Sequence, residues 1–339
     1  MTTTTPLPAR AQLDEEARLD GAHATDEAHF RALVRRLSKQ SVTKHYDAYA
    51  DIPWDAPGFA IDPADPRFII EPTNPLGATD WYRSQPPEVQ ARIGLFGIAM
   101  SMKRGLEFEN VLKRGLLTYA FYRLPKNDPR FRYIYHEVAE ETHHGMMFQE
   151  FVNRSRMDPA PMGRWLRLGT RDVVALGRRF PALFFLFVLG GEDPIDQVQR
   201  SILRSDQELH PLTEVIMRHH VTEEARHISF ARHHLKIEVP KLGRPARAWL
   251  GIVTPIMLGV MADMMLVPPT ELHTRFGVPR EVLNEARRSD EAHRRKVESV
   301  AKLRRLCREL GLITPVTRRL WKACGVWADD PARPSAPAE

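Results

Sequence analysis

The chain contains very little cysteine: Cys307 and Cys324 are the two present among 339 residues. Two thiols near one end exclude a disulfide-stapled fold and a zinc site built from four cysteines. The sequence also lacks the alternating pattern of β-strands and the glycine-rich loop of dinucleotide-binding proteins. The segment Met1–Asp20 has no apolar core, so no signal peptide is expected. These absences favour a helical, cytoplasmic protein.

The excess of positive charge is small, with 49 lysines and arginines against 43 acidic residues. The basic residues stand in short runs such as Arg294–Lys296, without a nucleic-acid-binding motif beside them, so we expect no nucleic-acid partner. The apolar stretch Trp249–Val267 is just long enough to cross a bilayer. It contains Asp263, which is costly in lipid, and four methionines that suit a protein interior. We interpret it as a buried helix and expect no membrane partner.

The hydrophobic periodicity predicts long helices over most of the chain. Amphipathic patterns and proline breaks place them at about 26–38, 88–124, 130–157, 169–190, 192–209, 211–237, 244–267 and 290–310. We therefore expect an all-α helix bundle with additional flanking helices, in one domain over 26–325. Disordered tails are expected over 1–25 and 326–339. Helices that are apolar on both sides, as around Phe180–Leu189, need more cover than one bundle supplies, which favours a homodimer.

Three ionisable residues share one face of the predicted helix over 211–237. His220, Glu224 and His227 stand at positions i, i+4 and i+7, on the face that also carries Met217 and Leu235. That face is apolar, so the three groups point towards the core. Burying them without partners is unfavourable, and a metal ion that binds carboxylate and neutral imidazole together removes that cost.

A second cluster lies in the predicted helix over 130–157, and two registers compete there. Glu141 and His144 form a Glu-x-x-His motif, whereas His136, Glu140 and His143 repeat the spacing of the first cluster. The apolar residues of this helix share the face of Glu141 and His144, so we expect these two residues to be the metal ligands. Replacing Glu140 is therefore predicted to have a mild effect. These apolar residues are Ile134, Val138, Phe148, Phe151 and Val152.

Two Glu-x-x-His motifs on separate helices indicate a carboxylate-bridged dinuclear metal site. In ferritin-like proteins with such sites, two other helices each add one glutamate. Glu109 and Glu192 are the candidates, because each stands among apolar residues and precedes one motif. Glu141 follows Glu109 by 32 residues, and Glu224 follows Glu192 by the same interval. Each interval fits a helical hairpin.

The order of these residues resembles the p-aminobenzoate N-oxygenase (AurF-type) family of ferritin-like diiron oxygenases, over roughly residues 85–310. His220, one turn before the second Glu-x-x-His, is the feature that separates this group from most ferritin-like sites. The resemblance implies two iron ions, with manganese possible in their place. It implies O₂, a small-molecule amine substrate and an electron donor, with a hydroxylamine or nitro product. The implied metal ligands are Glu109, Glu141, His144, Glu192, His220, Glu224 and His227.

Other functions remain open on the sequence alone. They are a diiron hydroxylase of another small molecule, a ferroxidase or iron-storage protein, and a metal-dependent hydrolase. The long N-terminal segment and the helices after His227 argue against iron storage, and no separate nucleophile motif supports hydrolysis. Arg200 and Arg204 could anchor a substrate carboxylate, although ordinary surface arginines are the favoured interpretation.

Overall fold

The computed structural model describes residues 27–328, and no β-strand occurs within that range. The predicted all-α fold is therefore confirmed for the described residues. The predicted N-terminal tail lies outside them. The helices are α1 (Glu27–Thr43), α2 (Asp80–Arg83), α3 (Pro87–Arg123), α4 (Pro129–Ser155), α5 (Arg164–Arg179), α6 (Pro181–Arg204), α7 (Pro211–Glu238), α8 (Arg244–Leu266), α9 (Glu271–Phe276), α10 (Arg280–Arg288), α11 (Asp290–Ser299), α12 (Ala301–Glu309) and α13 (Pro315–Ala323). Short 3₁₀ turns occupy Pro57–Phe59, Pro66–Phe68 and Val239–Lys241.

Four long helices, α3, α4, α6 and α7, form the central bundle. Helix α3 packs along α4 and α6 packs along α7, and the two pairs meet through α3 with α6 and α4 with α7. Each of the four begins with a proline at its first position, where the missing N–H costs nothing and the fixed φ suits a helix. These prolines are Pro87, Pro129, Pro181 and Pro211.

The largest core cluster lies between α3, α6 and α7, with α1, α12 and α13 against its outside. Phe184, Phe185 and Leu186 of α6 are fully buried within this single chain. The apolar run around Phe180–Leu189 thus has its cover without a second copy. The reason given for a homodimer from the sequence is therefore not supported by the packing.

The predicted break between residues 190 and 192 is wrong, because α6 runs unbroken from Pro181 to Arg204. The chain breaks instead at Phe180, whose φ and ψ of −150° and 74° are not helical. Gly191, at the predicted break, provides space inside the continuous helix: a Cβ there would lie 2.0 Å from the ring of Phe108. Glu192 consequently lies in the middle of a helix.

Two other predicted boundaries also differ. The predicted helix over 290–310 is divided at Val300 into α11 and α12. Val326 is fully buried and Trp327 packs against the core cluster, so packed residues extend past the predicted domain end at 325. Residues from 329 onwards lie outside the described part of the chain.

Helix α5 approaches α3 very closely at one point. A Cβ on Gly177 would lie 2.4 Å from the backbone oxygen of Gly115, a distance that no side chain tolerates. Glycine at this position therefore lets the two backbones touch. The contact fixes α5 on the helix that carries Glu109.

Helix α8 is buried on one face only. The segment Arg244–Phe276, which includes α8, is long and apolar enough to cross a membrane. Of an apolar stretch of 18 residues within it, 44 % is buried inside the molecule. Leu250, Thr254 and Leu258 form the buried face. The helix that the sequence predicted to be buried is therefore buried on this face, and its opposite face is exposed.

Candidate metal centre

The bundle brings all seven predicted ligand residues together in its interior. Helix α3 carries Glu109, α4 carries Glu141 and His144, α6 carries Glu192, and α7 carries the remaining three. Every one of the seven is at most 4 % exposed. They form two groups, within each of which one ligand-type atom per residue lies within 4.8 Å of the others. One group is Glu109, His144 and His220, and the other is Glu141, Glu192, Glu224 and His227.

One oxygen of Glu224 stands at the centre of the arrangement. Glu224 Oε1 lies 3.4 Å from Nε2 of His220 and 3.5 Å from Nδ1 of both His144 and His227. His144 and His220 belong to one group and His227 to the other. A single carboxylate therefore lies between them, as a bridging ligand of a dinuclear site does.

Glu141 takes an equivalent position on the opposite helix. Its Oε1 lies 2.9 Å from Nδ1 of His227, and its Oε2 lies 3.5 Å from Nδ1 of His144. Glu109 is placed differently, because its Oε1 lies 3.6 Å from His220 Nε2. The geometry thus separates two central carboxylates from Glu109 at one side of the centre.

Many polar atoms at this centre have no hydrogen-bond partner within the described residues. They are Glu109 Oε2, Glu224 Oε2, both oxygens of Glu141, both oxygens of Glu192, and Nδ1 of His144 and of His227. Buried polar groups without partners are rare and each is costly. Cations among these atoms would satisfy them at once, so the set is compatible with a dinuclear metal site.

Burial raises the pKa of three carboxylic acids in this set, Glu109, Glu192 and Glu224. Removal from water is the largest cause at Glu109 and at Glu192, with repulsion from Glu141 and Glu224 respectively as the next cause. At Glu141 burial also acts to raise the pKa, but the close contacts and charges of His144 and His227 outweigh it and hold the pKa below its usual range. Four clustered carboxyl groups in so little space require a compensating positive charge.

The three imidazoles differ in their titration. Burial lowers the pKa of His220, and the neighbouring His144 lowers it further, which favours the neutral form that ligates metals. Burial also acts to lower the pKa of His144 and His227, but their carboxylate contacts outweigh it and raise both values. A metal ion would replace those protons, since binding at histidine releases them.

Two glutamates hold the histidines from outside the centre, and they do so reciprocally. Glu223 Oε2 of α7 lies 2.9 Å from Nε2 of His144 on α4. Glu140 Oε2 of α4 lies 2.8 Å from Nε2 of His227 on α7. In each histidine the second ring nitrogen therefore points to the centre. Carboxylates that bind the outer nitrogen of a ligating histidine fix its tautomer and orientation.

Glu140 and Glu223 are joined by one arginine. Arg226 Nη2 donates to Glu140 Oε1 at 2.9 Å and lies 3.5 Å from Glu223 Oε1. Burial raises the pKa of Glu140, but the hydrogen bond with His227 and the charge of Arg226 bring it down to about 2. The outer carboxylate is therefore ionised. His220 has its own support, because its Nδ1 lies 2.8 Å from Oε1 of Gln199.

Sequence reasoning missed these outer partners, although a signal was present. Both motifs contain doubled acids, Glu140-Glu141 and Glu223-Glu224, in which the second member points to the centre and the first to the histidine of the other helix. The rival register fails, because His143 Nδ1 accepts from the backbone of Ala48 instead of facing the centre. The hydrogen bond of Glu140 to His227 is a reason to expect that replacing Glu140 has more than the mild effect predicted from the sequence.

The sequence also did not predict one further buried carboxylic acid beside the centre. Glu137, one turn before Glu141, is fully buried, and neither of its oxygens has a partner within the described residues. Burial raises its pKa to about 8. The hydroxyl of Tyr133, one further turn away, is likewise buried without a partner. Buried polar groups on α4 therefore extend two turns before Glu141, beyond the two predicted ligands of this helix.

Arg200 is neither a surface residue nor available as a substrate anchor. It is 5 % exposed, and its Nε donates to Asp196 at 2.6 Å. Its Nη2 donates to the backbone oxygen of Val221 at 2.7 Å. It ties α6 to α7 beside the centre. Arg204, one turn further along α6, is exposed.

A cavity of about 1300 Å³ reaches Glu109, His220 and Glu224. Its wall is mostly apolar, and eight of the chain's twelve methionines line it. The partly exposed Leu166 of α5 and Ile256 of α8 also line it, so it reaches the surface between those helices. Methionine is flexible and adapts to irregular apolar partners. The centre is thus accessible to an organic molecule of considerable size.

Comparison with known proteins agrees with this centre. Residues 27–311 match the family described as P-aminobenzoate N-oxygenase AurF. Three mycobacterial proteins, each described as uncharacterized, are 39 % identical over 302 residues, which covers 89 % of this chain and 88 % of each relative. They are Mb0909 of Mycobacterium bovis and MT0908 and Rv0885 of Mycobacterium tuberculosis. No solved structure matches the chain significantly. The family match spans the whole bundle, and the chain therefore belongs to the AurF family, with its ferritin-like all-α fold.

Proposed function

We propose that the protein is a diiron oxygenase that uses O₂ to oxidise the nitrogen of an amine to a hydroxylamine or nitro group. The observation that carries the proposal is the pair of adjoining buried groups, with His220 as a third imidazole at the centre. Membership of the AurF family supports the same chemistry. An arylamine or an alkylamine fits the family equally.

The donor set suits iron, with manganese as the alternative metal, because carboxylate and imidazole together favour these ions over structural zinc or calcium. Glu109, His144 and His220 would hold one ion, and Glu192 and His227 the other, with Glu141 and Glu224 between them. Two iron(II) ions would supply electrons to O₂. For each hydroxylation, one oxygen atom goes to nitrogen and one to water, with two electrons from an external donor and two protons.

The chain's own residues position the ligands and shape the pocket. Glu140 and Glu223 keep the outer nitrogens of two histidines occupied, so the inner nitrogens stay aimed at the centre. Gln199 does the same for His220. The methionine-rich wall contacts the apolar part of a substrate and keeps water away from the reacting nitrogen. We propose a small-molecule amine, O₂ and a separate electron donor as the partners.

We retain the cytoplasm as the proposed location and a homodimer as the proposed assembly. The apolar run that suggested the dimer is covered by its own chain. A dimer would therefore have to use another surface. Light scattering on the purified protein decides between one and two chains.

Metal analysis is the first test of the proposal. Protein expressed in iron-rich medium should contain about two irons per chain, as two Glu-x-x-His helices imply. Glu141→Ala should lower that content, because it removes a carboxylate that lies between both groups. Glu150→Ala, on the same helix but bound to Arg154, is the matched control. One zinc and no iron in the native chain would contradict a diiron centre.

Activity is tested with reduced, iron-loaded protein, O₂ and a panel of arylamines and alkylamines, with mass spectrometry of the products. A gain of oxygen at nitrogen supports the proposal. Turnover that is independent of O₂ would indicate a hydrolase instead. Growth of a ferric mineral without amine oxidation would indicate a ferroxidase.

A further inference from the structure

The exposed face of α8 is a continuous apolar stripe. Trp249, Ile252, Ile256 and Val260 are each between 44 % and 53 % exposed and recur along one side of the helix. No charged residue occurs between Arg247 and Asp263. The stripe from Trp249 to Val260 extends about 17 Å along the helix axis. Contiguous apolar surface of this kind marks a contact with a protein or a membrane.

Aromatic residues of α3 and of the junction between α5 and α6 extend this stripe. Phe180 packs on Trp249 with ring centroids 5.4 Å apart. Two residues earlier, the guanidinium of Arg178 stacks over Tyr122 at 4.5 Å. Tyr122 and its neighbour Phe121 are 54 % and 75 % exposed. The end of α3, the end of α5 and the start of α8 therefore form one aromatic edge.

Helices α5 and α13 expose positive charge near the stripe. Helix α5 exposes several arginines and only one acid, Asp172. Helix α13 contains no acid and packs against α8, where a Cβ on Gly251 would lie 3.3 Å from the side chain of Thr317. The exposed basic residues of the two helices include Arg167, Arg171, Arg178, Arg179, Arg318 and Arg319. An apolar stripe with cations on neighbouring helices matches the chemistry of an anionic lipid surface, where aromatic residues occupy the headgroup level.

We propose that this docking face, formed by the α8 stripe, the aromatic edge and the arginines of α5 and α13, binds the surface of an anionic membrane. Helix α8 lies in the interface and does not cross it, because its other face is buried against the bundle. A surface contact of this kind was not expected from the sequence, where only a crossing helix was considered. The proposal is independent of the metal centre.

A second copy of the chain fits this face less well. A twofold interface places the same surface against itself. The arginines near the stripe would then approach one another, and like charges oppose such contact. An anionic bilayer instead attracts them. The cavity opens beside this face, since Ile256 and Val260 line its wall.

Vesicle flotation with the full chain tests the proposal. The protein should float with vesicles of equimolar phosphatidylcholine and phosphatidylglycerol, and not with phosphatidylcholine alone. Arg178→Glu with Arg179→Glu should weaken binding to the anionic vesicles by about tenfold or more, and so should Ile256→Glu. Val42→Glu on α1, at a position 55 % exposed, is the matched control and should bind as the native chain does.

Circular dichroism and metal content show that each variant is folded. Failure of the native chain to float with anionic vesicles would overturn the proposal. Equal binding to both vesicle types, or unchanged binding by both the arginine and the Ile256 variants, would overturn it as well. So would a native dimer that Ile256→Glu converts to a monomer, because the face would then belong to a second copy.

Discussion

Glu140 lies 2.8 Å from the outer nitrogen of His227, a residue on a different helix. The carboxylate is buried and also accepts a hydrogen bond from Arg226. His227 is therefore fixed in orientation by a side chain that does not reach the centre itself. The same relationship recurs between Glu223 and His144, so the two halves of the bundle support each other's histidines.

We predict that Glu140→Ala lowers metal affinity by about 10- to 100-fold, the usual effect of losing an outer carboxylate from a ligating histidine. Glu140→Gln keeps an acceptor for His227 and should lose less. Competition with a chelator measures both. Glu150→Ala on the same helix provides the control. Equal affinity of the alanine variant and the native chain would show that His227 is held adequately by other contacts.

The close approach of α5 and α3 predicts a stability difference between two glycines of α5. Gly177→Ala should lower the free energy of unfolding by about 1 to 3 kcal/mol, because its Cβ would overlap the backbone oxygen of Gly115. Gly169→Ala meets nothing within 4 Å and should raise it by up to about 1 kcal/mol through helix propensity. Urea unfolding measures both. A Gly177→Ala variant as stable as Gly169→Ala would refute the contact.

The pH dependence of stability should depend on His234. Its ring lies 4.1 Å from that of Phe185, and neither nitrogen has a hydrogen-bond partner within the described residues. Burial lowers its pKa to about 3. In the unfolded chain the pKa of this imidazole is about 6.5, so between pH 6.5 and pH 3 it is protonated in the unfolded state and neutral in the folded state. His234 therefore lowers the free energy of unfolding progressively as the pH falls from 6.5 to 3.

Between pH 7 and pH 5 this single residue should account for a loss of about 2 kcal/mol in the free energy of unfolding. His234→Leu should reduce the pH dependence by that amount. His293→Leu, at an exposed position of α11, should leave it unchanged. Unfolding at the two pH values, with all proteins equally loaded with metal, provides the comparison. A pH dependence identical in His234→Leu and the native chain would mean that the imidazole titrates freely.

The sequence predicted the parts of this fold that depend on local signals. Prolines mark the starts of α3, α4 and α7, and the apolar stripe of α4 selected Glu141 and His144. The predicted break at residue 191 was wrong, and the close packing of Gly191 against Phe108 is a tertiary feature that no local pattern shows. The exposed face of α8 was missed for a related reason, since hydropathy does not show which side of an apolar helix is covered.

The residues that face the centre could be predicted from the sequence, whereas the glutamates that hold the histidines from outside could not. Helical spacing places Glu224 and His227 on one face from sequence alone. The partner of His144 is Glu223, 79 residues away on another helix, and that pairing requires the packed bundle. Arg200 shows the same limit. Its position on α6 was evident, but its hydrogen bond to the backbone of Val221 depends on where α7 lies.

His220 provides the sharpest test of the proposed chemistry. Its Nε2 lies 3.6 Å from Glu109 and 3.4 Å from Glu224, while Gln199 holds its other nitrogen. It therefore faces the centre as a third nitrogen beside His144. His220→Ala should keep the fold and most of the iron, because the carboxylates and the other histidines remain. It should change the visible spectrum of the iron-loaded protein and lower amine oxidation by about tenfold or more.

His219→Ala is the matched control for this variant, because the His219 ring stacks on Tyr46 at 3.9 Å and lies outside both ligand groups. It should retain the native spectrum and turnover. Iron content, absorption and product formation are measured on all three proteins. If His220→Ala kept both the spectrum and the turnover, the third imidazole would be a hydrogen-bonded bystander. The proposed N-oxygenation would then lose the residue that most distinguishes this centre from an ordinary ferritin-like one.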